Sequence, residues 1–299
     1  MNILITGSSG LIGSALRAAL REQHDVTCMS RKKPAEGQAW WDIKRHVIHL
    51  PENHPIDAVI HLAGENIAGG PWTATRKQSI QNSRIQGTTL LCEALASLER
   101  KPECLISASA VGFYGSQGPE KLDESSPAGQ GFLAEVCQSW ENATSSATDA
   151  GIRVVRARLG VVLDKHGGML PRMLLPFRLA LGGPLGHGRQ VMSWVSLTDL
   201  IRSFDYILNN PDLQGPVNIT SPNPVTNEVF TQALAQTLHR PALLRIPNLV
   251  IESLLGDLGH ELLLASQYVC PEKLQASGFE FNHKEIAPTL EHLLQKSES

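Results

Sequence analysis

A β-prone run, Ile3-Leu4-Ile5-Thr6, leads directly into Gly7-Ser8-Ser9-Gly10-Leu11-Ile12-Gly13, and a helical pattern begins inside that heptapeptide. The three glycines answer three different demands. Gly7 allows a tight turn off the strand. Gly10 keeps a Cβ out of the way of an approaching group, and Gly13 lets the new helix pack closely on the sheet. The backbone N–H groups of Ser9, Gly10, Leu11, Ile12 and Gly13 then surround the positive end of a helix, where a pyrophosphate binds. Three glycines in an arbitrary turn would mean little. What gives them weight is their place in the first strand–turn–helix of a chain that goes on alternating.

That alternation fills the first half. Strands are expected at 3–6, 25–30, 58–62, 105–109 and 154–159, with helices at 11–22, 78–99 and 133–150. Near-unbroken apolar strands separated by helices describe a parallel sheet covered on both faces, with right-handed crossovers. The fold class is therefore α/β, a doubly wound parallel sheet of the NAD(P)-binding Rossmann kind. After Gly160 the pattern changes to glycine-punctuated loops, a returning strand at 217–220 and helices at 227–239, 247–256 and 286–296. The expected organisation is a cofactor domain over 1–165, to which part of 189–220 returns, and a smaller C-terminal substrate lobe over 166–299 interleaved with it.

The bulk numbers exclude several classes. The 299 residues are 42% hydrophobic and carry a formal charge of −3, with no basic stripe for nucleic acid. No apolar run is long enough for a membrane span. The first residues read as a strand rather than a signal peptide, and the five cysteines contain no C-x-x-C pair, so no metal site is expected. Reduced thiols and a cytoplasmic location fit, with a small-molecule substrate as partner and a homo-oligomer allowed.

Where a protein that uses NAD(H) places a carboxylate for the ribose 2′-hydroxyl, this chain has Ser30-Arg31-Lys32. A guanidinium beside a hydroxyl grips a 2′-phosphate that a carboxylate would repel, so NADP(H) is expected rather than NAD(H). Asp42, after Trp40-Trp41, is a lesser candidate for the adenine end.

Together with Thr6-Gly7-x-x-Gly10-x-x-Gly13, several segments carry a resemblance. They are His61-Leu62-Ala63-Gly64-Glu65-Asn66, Ser107-Ala108-Ser109-Ala110-Val111-Gly112-Phe113-Tyr114-Gly115, Cys137-x-x-Trp140-Glu141, Arg158-Leu159-Gly160 and Trp194-Val195-Ser196-Leu197-Thr198-Asp199. The chain resembles the extended short-chain dehydrogenase/reductase superfamily, nearest its atypical branch of YfcH-like epimerase family proteins, over nearly its full length. The resemblance implies that Ser30 and Arg31 hold the 2′-phosphate. It places Leu62, Ala63 and the adjoining Gly64 along the adenosine and pyrophosphate, Arg84 in the helix that follows, and Val162 near the nicotinamide. Core packing accounts equally well for Leu62, Ala63 and Val162, and a solvated charge for Arg84.

Typical members use a Tyr made acidic by a Lys four residues on, sharing one helix face. Here Tyr114, Tyr206 and Tyr268 are followed at that spacing by Gly118, Asn210 and Glu272. Where the pair should fall, Phe132 or Leu133 takes the Tyr place and Val136 or Cys137 the Lys place. Ser109 is the best match to the carbonyl-binding Ser, and Tyr114 is a substitute acid whose phenol, near pKa ~10, is poor at neutral pH. Three readings stay open: an NADP(H)-dependent oxidoreductase or epimerase-like enzyme with an unusual acid, a non-catalytic NADP(H) sensor, and a nucleotide-sugar binder.

Overall fold

The computed structural model describes residues 1–32, 38–50 and 55–295, in two compact units. The first comprises Met1–Ser109, Val136–Arg158 and Ile201–Val217; the second comprises Ala110–Glu135, Leu159–Leu200 and Asn218–Ser299. The chain is thus more interleaved than a break at residue 165 implies. Residues 110–135 and 159–165 belong to the second unit because they pair and pack with its later segments. Leu122 bridges in register to Val269, and Val162 to Val195.

The first unit is built on strands β1 (Asn2–Thr6), β2 (Asp25–Cys28), β3 (Ala58–His61), β4 (Cys104–Ala110), β5 (Arg153–Leu159) and β6 (Gly215–Ile219). They lie side by side in the order β6-β5-β4-β3-β1-β2. β1 pairs in parallel with both β2 and β3, and β3 with β4. Every residue of β3 is buried, as its Ala-Val-Ile-His sequence requires of a strand covered on both faces. Because β1 is flanked by β2 on one side and β3 on the other, the strand order reverses there. A doubly wound sheet leaves a crevice at the carboxyl ends of such strands.

Helix α1 (Leu11–Leu20) buries Gly13, Leu16 and Leu20, a 3.6-residue stripe. Helix α2 (Ala74–Ser97) starts on a Thr73 cap, whose hydroxyl accepts from the Arg76 N–H at 3.2 Å. A small antiparallel hairpin, Trp40–Asp42 with Val47–His49, lies against α2. A Cβ at Gly87 would stand 3.2 Å from the Ile43 side chain and 3.6 Å from Trp41, which is why α2 carries glycine there. The helix expected over 133–150 is divided into α3 (Phe132–Asn142) and a short turn of helix, Ser145–Asp149. At the break, Thr144 Oγ1 donates to the Glu141 carbonyl at 2.7 Å and diverts an acceptor from the helical ladder.

In the second unit, helices α4 (Leu170–Arg178), α5 (Asn227–Thr237), α6 (Asn248–Leu255) and α7 (Ile286–Leu294) accompany short strand pairs. Its core gathers Leu163, Leu174, Phe177, Trp194, Phe230, Leu234 and Leu290. Trp194 is fully buried, and its indole N–H donates to the Asn223 carbonyl at 3.1 Å. The last residue of the helix expected at 286–296 lies outside the described residues. No helix among the described residues is long and apolar enough to cross a membrane.

Candidate functional site

The turn at 7–13 takes the form its glycines predict. Gly7 has φ +69°, and a Cβ there would press within 2.9 Å of the Leu62–Ala63 backbone. A Cβ on Gly13 would come to 2.3 Å from the Gly7 carbonyl oxygen. Gly10 differs from both. It has an ordinary extended backbone (φ −78°, ψ 173°), is exposed, and its nearest neighbour for a Cβ is the Gly7 oxygen at 3.5 Å. No steric contact inside the protein demands glycine at position 10. Its bare, exposed backbone leaves room for a group to lie against it. Gly10 is also the N-cap of α1, with no side chain bonded to the helix end, so the cradle suits a pyrophosphate.

Beyond β2, Ser30 closes a small turn. Its Oγ donates to the Lys32 carbonyl at 2.8 Å and accepts from the Lys32 N–H at 3.1 Å. Arg31 and Lys32 stand exposed on this turn, which the Ser30 backbone anchors to Ala39 and Trp41. Two cations on a turn pinned by the Ser30 hydroxyl fit a phosphate monoester. Asp42 is otherwise engaged: it accepts from the Arg45 N–H at 3.2 Å, capping its own turn.

The end of β3 is fixed by a buried polar chain. Thr6 Oγ1 accepts from the N–H groups of Leu62 and Ala63, both at 3.2 Å, which commits its proton to His61 Nδ1 at 2.7 Å. His61 Nε2–H in turn donates to Thr88 Oγ1 at 2.9 Å, and the Trp140 indole donates to the same oxygen at 2.9 Å. His61 therefore serves packing, neutral and fully buried, its pKa pushed down to about 4 by loss of solvation. Leu62 and Ala63, half-buried, and exposed Gly64 follow it.

Arg84 is no solvated charge. Its guanidinium donates to the carbonyls of Glu65 (3.0 Å) and Ile80 (3.2 Å) and lies over the Trp140 ring at 5.0 Å. A Cβ on Gly64 would be 3.3 Å from its Cζ. Desolvation lowers its pKa, while Cys137 and Glu65 pull the other way. Glu65, bonded to Ser79 and paired with Arg76, is held below the usual carboxylate range, first by Ser79.

The two proton-transfer candidates are placed in separate surroundings. Ser109, 3% exposed, donates to Glu141 Oε1 at 2.8 Å. Arg158 holds that carboxylate through Nε (2.8 Å) and a terminal nitrogen (2.9 Å), both partners being about 5% exposed. Tyr114, in the second unit, is fully buried, with its hydroxyl 2.8 Å from both the Asp123 carbonyl and Asn218 Oδ1. Its phenol anchors a core instead of facing an open surface. Val162, also in the second unit, is half-buried and paired with Val195.

Sequence reasoning missed two devices. One is the Ser109–Glu141–Arg158 cluster, whose members appear in the quoted motifs with no signal that they meet. The other is Glu261, whose carboxylate accepts from the N–H groups of Phe132 (3.0 Å) and Leu133 (2.8 Å), where a Tyr would otherwise stand. No sequence spacing links 132 to 261. Among the described residues there is no cluster of side chains that could hold a metal ion.

Residues 3–220 match the NAD dependent epimerase/dehydratase family, and residues 246–293 match a domain of unknown function, DUF1731. Epimerase family protein Mb2239 of Mycobacterium bovis is 43% identical over 290 residues, covering 96% of each chain. The crystal structure of human epimerase family protein SDR39U1 (isoform 2) with NADPH superposes with a TM-score of 0.90 at 33% identity, over 98% of this chain and 99% of that one. UDP-glucose 4-epimerase of Thermus thermophilus, solved with NAD, shares the fold at a TM-score of 0.73 and 20% identity, over 98% and 99% of the two chains.

Proposed function

The chain belongs to the NAD dependent epimerase/dehydratase family, and from that premise we propose that it binds NADP(H) and supports hydride transfer on a small hydroxyl- or carbonyl-bearing substrate such as a nucleotide sugar. The observation that carries the cofactor is Gly10, an exposed glycine at the end of α1 whose Cβ would meet nothing nearer than 3.5 Å and whose bare backbone a pyrophosphate can approach. The human relative solved with NADPH supports the same reading.

In this reading the N–H groups of Ser9, Leu11, Ile12 and Gly13 receive the pyrophosphate, which lies against the bare backbone of Gly10, whose own N–H is given to the Gly7 carbonyl at 3.1 Å. Ser30, Arg31 and Lys32 receive the 2′-phosphate, with the charge of Arg31 adding affinity for NADP(H) that NAD(H), which has no such phosphate, does not gain. Leu62, Ala63 and Gly64 wall the dinucleotide at the end of β3, and Arg84 braces that wall from behind. Val162 is assigned to the nicotinamide side on resemblance. When bound, the nicotinamide supplies or accepts hydride.

Ser109 is the polar group assigned to the substrate. Because its proton is given to Glu141, it offers a lone pair, which receives a hydrogen bond from a hydroxyl more readily than it gives one to a carbonyl. Arg158 binds both oxygens of Glu141 and so holds the acceptor to which Ser109 is turned.

A second reading, NADP(H) sensing without turnover, is favoured by a specific observation. Tyr114, the one tyrosine near the end of β4, spends its hydroxyl inside a core, and no Tyr has a Lys four residues on. One experiment separates the two. Purified protein is loaded with NADPH or NADP and given a panel of nucleotide sugars and small carbonyls, and nicotinamide absorbance is followed. Oxidation or reduction above the no-protein rate supports hydride transfer. Tight binding with no absorbance change across the panel supports sensing, and absence of NADPH binding would sink both.

A further inference from the structure

Helix α2 directs Arg76, Ser79, Ser83 and Arg84 at one residue of the preceding loop, Glu65. Positions 76, 79 and 83 recur at helical spacing and share a stripe of α2, with 84 beside it. One oxygen of the Glu65 carboxylate is paired with the Arg76 guanidinium, and the other accepts from the Ser79 hydroxyl. The Glu65 N–H donates to Ser83 Oγ at 3.1 Å, and the Glu65 carbonyl accepts from Arg84 Nη1 at 3.0 Å. Arg76 also donates to the Asn66 carbonyl. Every polar atom of Glu65, main chain and side chain, therefore ends on α2.

Stability does not account for so complete a grip. The Glu65 side chain is 34% exposed and that of Arg76 22%, and an ion pair so placed adds little to folding. What the grip fixes is a position. Glu65 directly follows Leu62, Ala63 and Gly64. Thr6 Oγ1 pins the N–H groups of Leu62 and Ala63 from β1, both at 3.2 Å. Arg84 stands behind Gly64, its Cζ 3.3 Å from where a Cβ would be. The segment is thus tied to β1 at one end and to α2 at the other. The ion pair has a second effect. A carboxylate beside a dinucleotide repels its phosphates, and Arg76 both turns the Glu65 charge toward α2 and cancels it.

We propose that Glu65 is a positioning residue for the dinucleotide. Gripped from α2, it fixes the segment Leu62–Gly64 before the cofactor arrives, and Arg76 removes a charge that would otherwise oppose the pyrophosphate. The proposal rests on the reading of Leu62, Ala63 and Gly64 as the wall of the dinucleotide site. A segment held in its bound form beforehand spares the complex the cost of ordering it.

The test uses the full chain with NADPH and NADH as probes, followed by nicotinamide fluorescence. Arg76→Gln frees the Glu65 charge and should weaken both cofactors by the same factor, ~10-fold, because both carry the pyrophosphate. Its melting temperature should stay within about 2 °C of wild type. Adding Glu65→Gln to that variant removes the freed charge and lets two side-chain amides bond, so affinity should return to within ~3-fold of wild type. A tie that served only packing would leave the double variant no better than the single one. In the cofactor-free protein, amide exchange of residues 64–69 should quicken at least ~10-fold in Arg76→Gln. If Arg76→Gln does not fold, Glu65→Ala decides, and it should weaken NADPH at least ~3-fold with the same faster exchange. Wild-type affinity in the folded variants, or a double variant as weak as Arg76→Gln, would overturn the positioning role while leaving the wall in place. A wild-type protein that binds neither cofactor would overturn the wall and the positioning role together.

Discussion

Gly10→Ala against Gly13→Ala separates what the turn does for the fold from what it does for a ligand. At Gly10 a methyl group meets nothing nearer than 3.5 Å, an ordinary van der Waals distance, on a backbone that alanine adopts freely. Ala loses a little as an N-cap but gains ~0.4–1 kcal/mol by restricting the unfolded chain, so stability should change by less than ~1 kcal/mol. At Gly13 the same methyl would lie 2.3 Å from the Gly7 oxygen and 2.8 Å from Ser8 Cα. That overlap forces the turn and α1 apart at a cost of about 1–3 kcal/mol. The ligand should rank them differently. The Gly10 methyl occupies the space the pyrophosphate needs, and a loss of ~100-fold in NADPH affinity corresponds to about 2.7 kcal/mol. Urea unfolding gives the stabilities, and titration of NADPH fluorescence gives the affinities. If Gly10→Ala binds NADPH as the wild type does, the assignment of Gly10 to the cofactor is refuted. If it unfolds like Gly13→Ala, the reading of open space at that Cβ is wrong.

Four further outcomes follow from the same geometry. Arg31→Glu should weaken NADPH binding at least ~10-fold while leaving NADH nearly unchanged, read by paired titrations, since only NADPH carries the 2′-phosphate. His61 stays neutral in the fold down to about pH 4 but takes a proton near 6.5 when unfolded. Its contribution is therefore whole above pH 6.5 and falls as pH drops from 6.5 to 4, by about 3 kcal/mol. Urea unfolding across that window should show a steeper loss than the His61→Gln variant, and equal slopes would contradict the assignment. Arg158→Met leaves Glu141 buried without its cation and should cost about 3–5 kcal/mol, whereas Arg158→Met with Glu141→Leu should recover much of it in thermal unfolding. Tyr114→Phe should lower stability by about 1–2 kcal/mol through the unpaired Asn218 and leave any turnover intact; loss of activity at unchanged stability would return Tyr114 to the chemistry.

Much of the first unit was legible because its signals are local. The strand into residues 7–13, the apolar run of β3 and the basic turn at 30–32 each declare themselves within a few residues, through backbone freedom, burial and charge. The break between α3 and the helix at Ser145–Asp149 was not legible. A single Thr144 hydroxyl competing for the Glu141 carbonyl decides it, against a helical pattern that continues past it. The site divides along the same line. Gly10 could be singled out from sequence because the turn that carries it is one short segment between a strand and a helix. The partners of Ser109 could not, since Glu141 and Arg158 reach it only through α3 and β5.

The sequence by itself determined which cradle this chain builds, because a turn, a helix end and a cation after the second strand are properties of short segments. Tertiary structure alone decided which hydroxyls remain available beside it. Packing took Tyr114 into a core, gave the Ser109 proton to a buried carboxylate, and brought Glu261 across 128 residues to the first turn of α3. Hydrogen-bond partners are chosen by proximity in the folded chain, and sequence separation carries no record of that proximity.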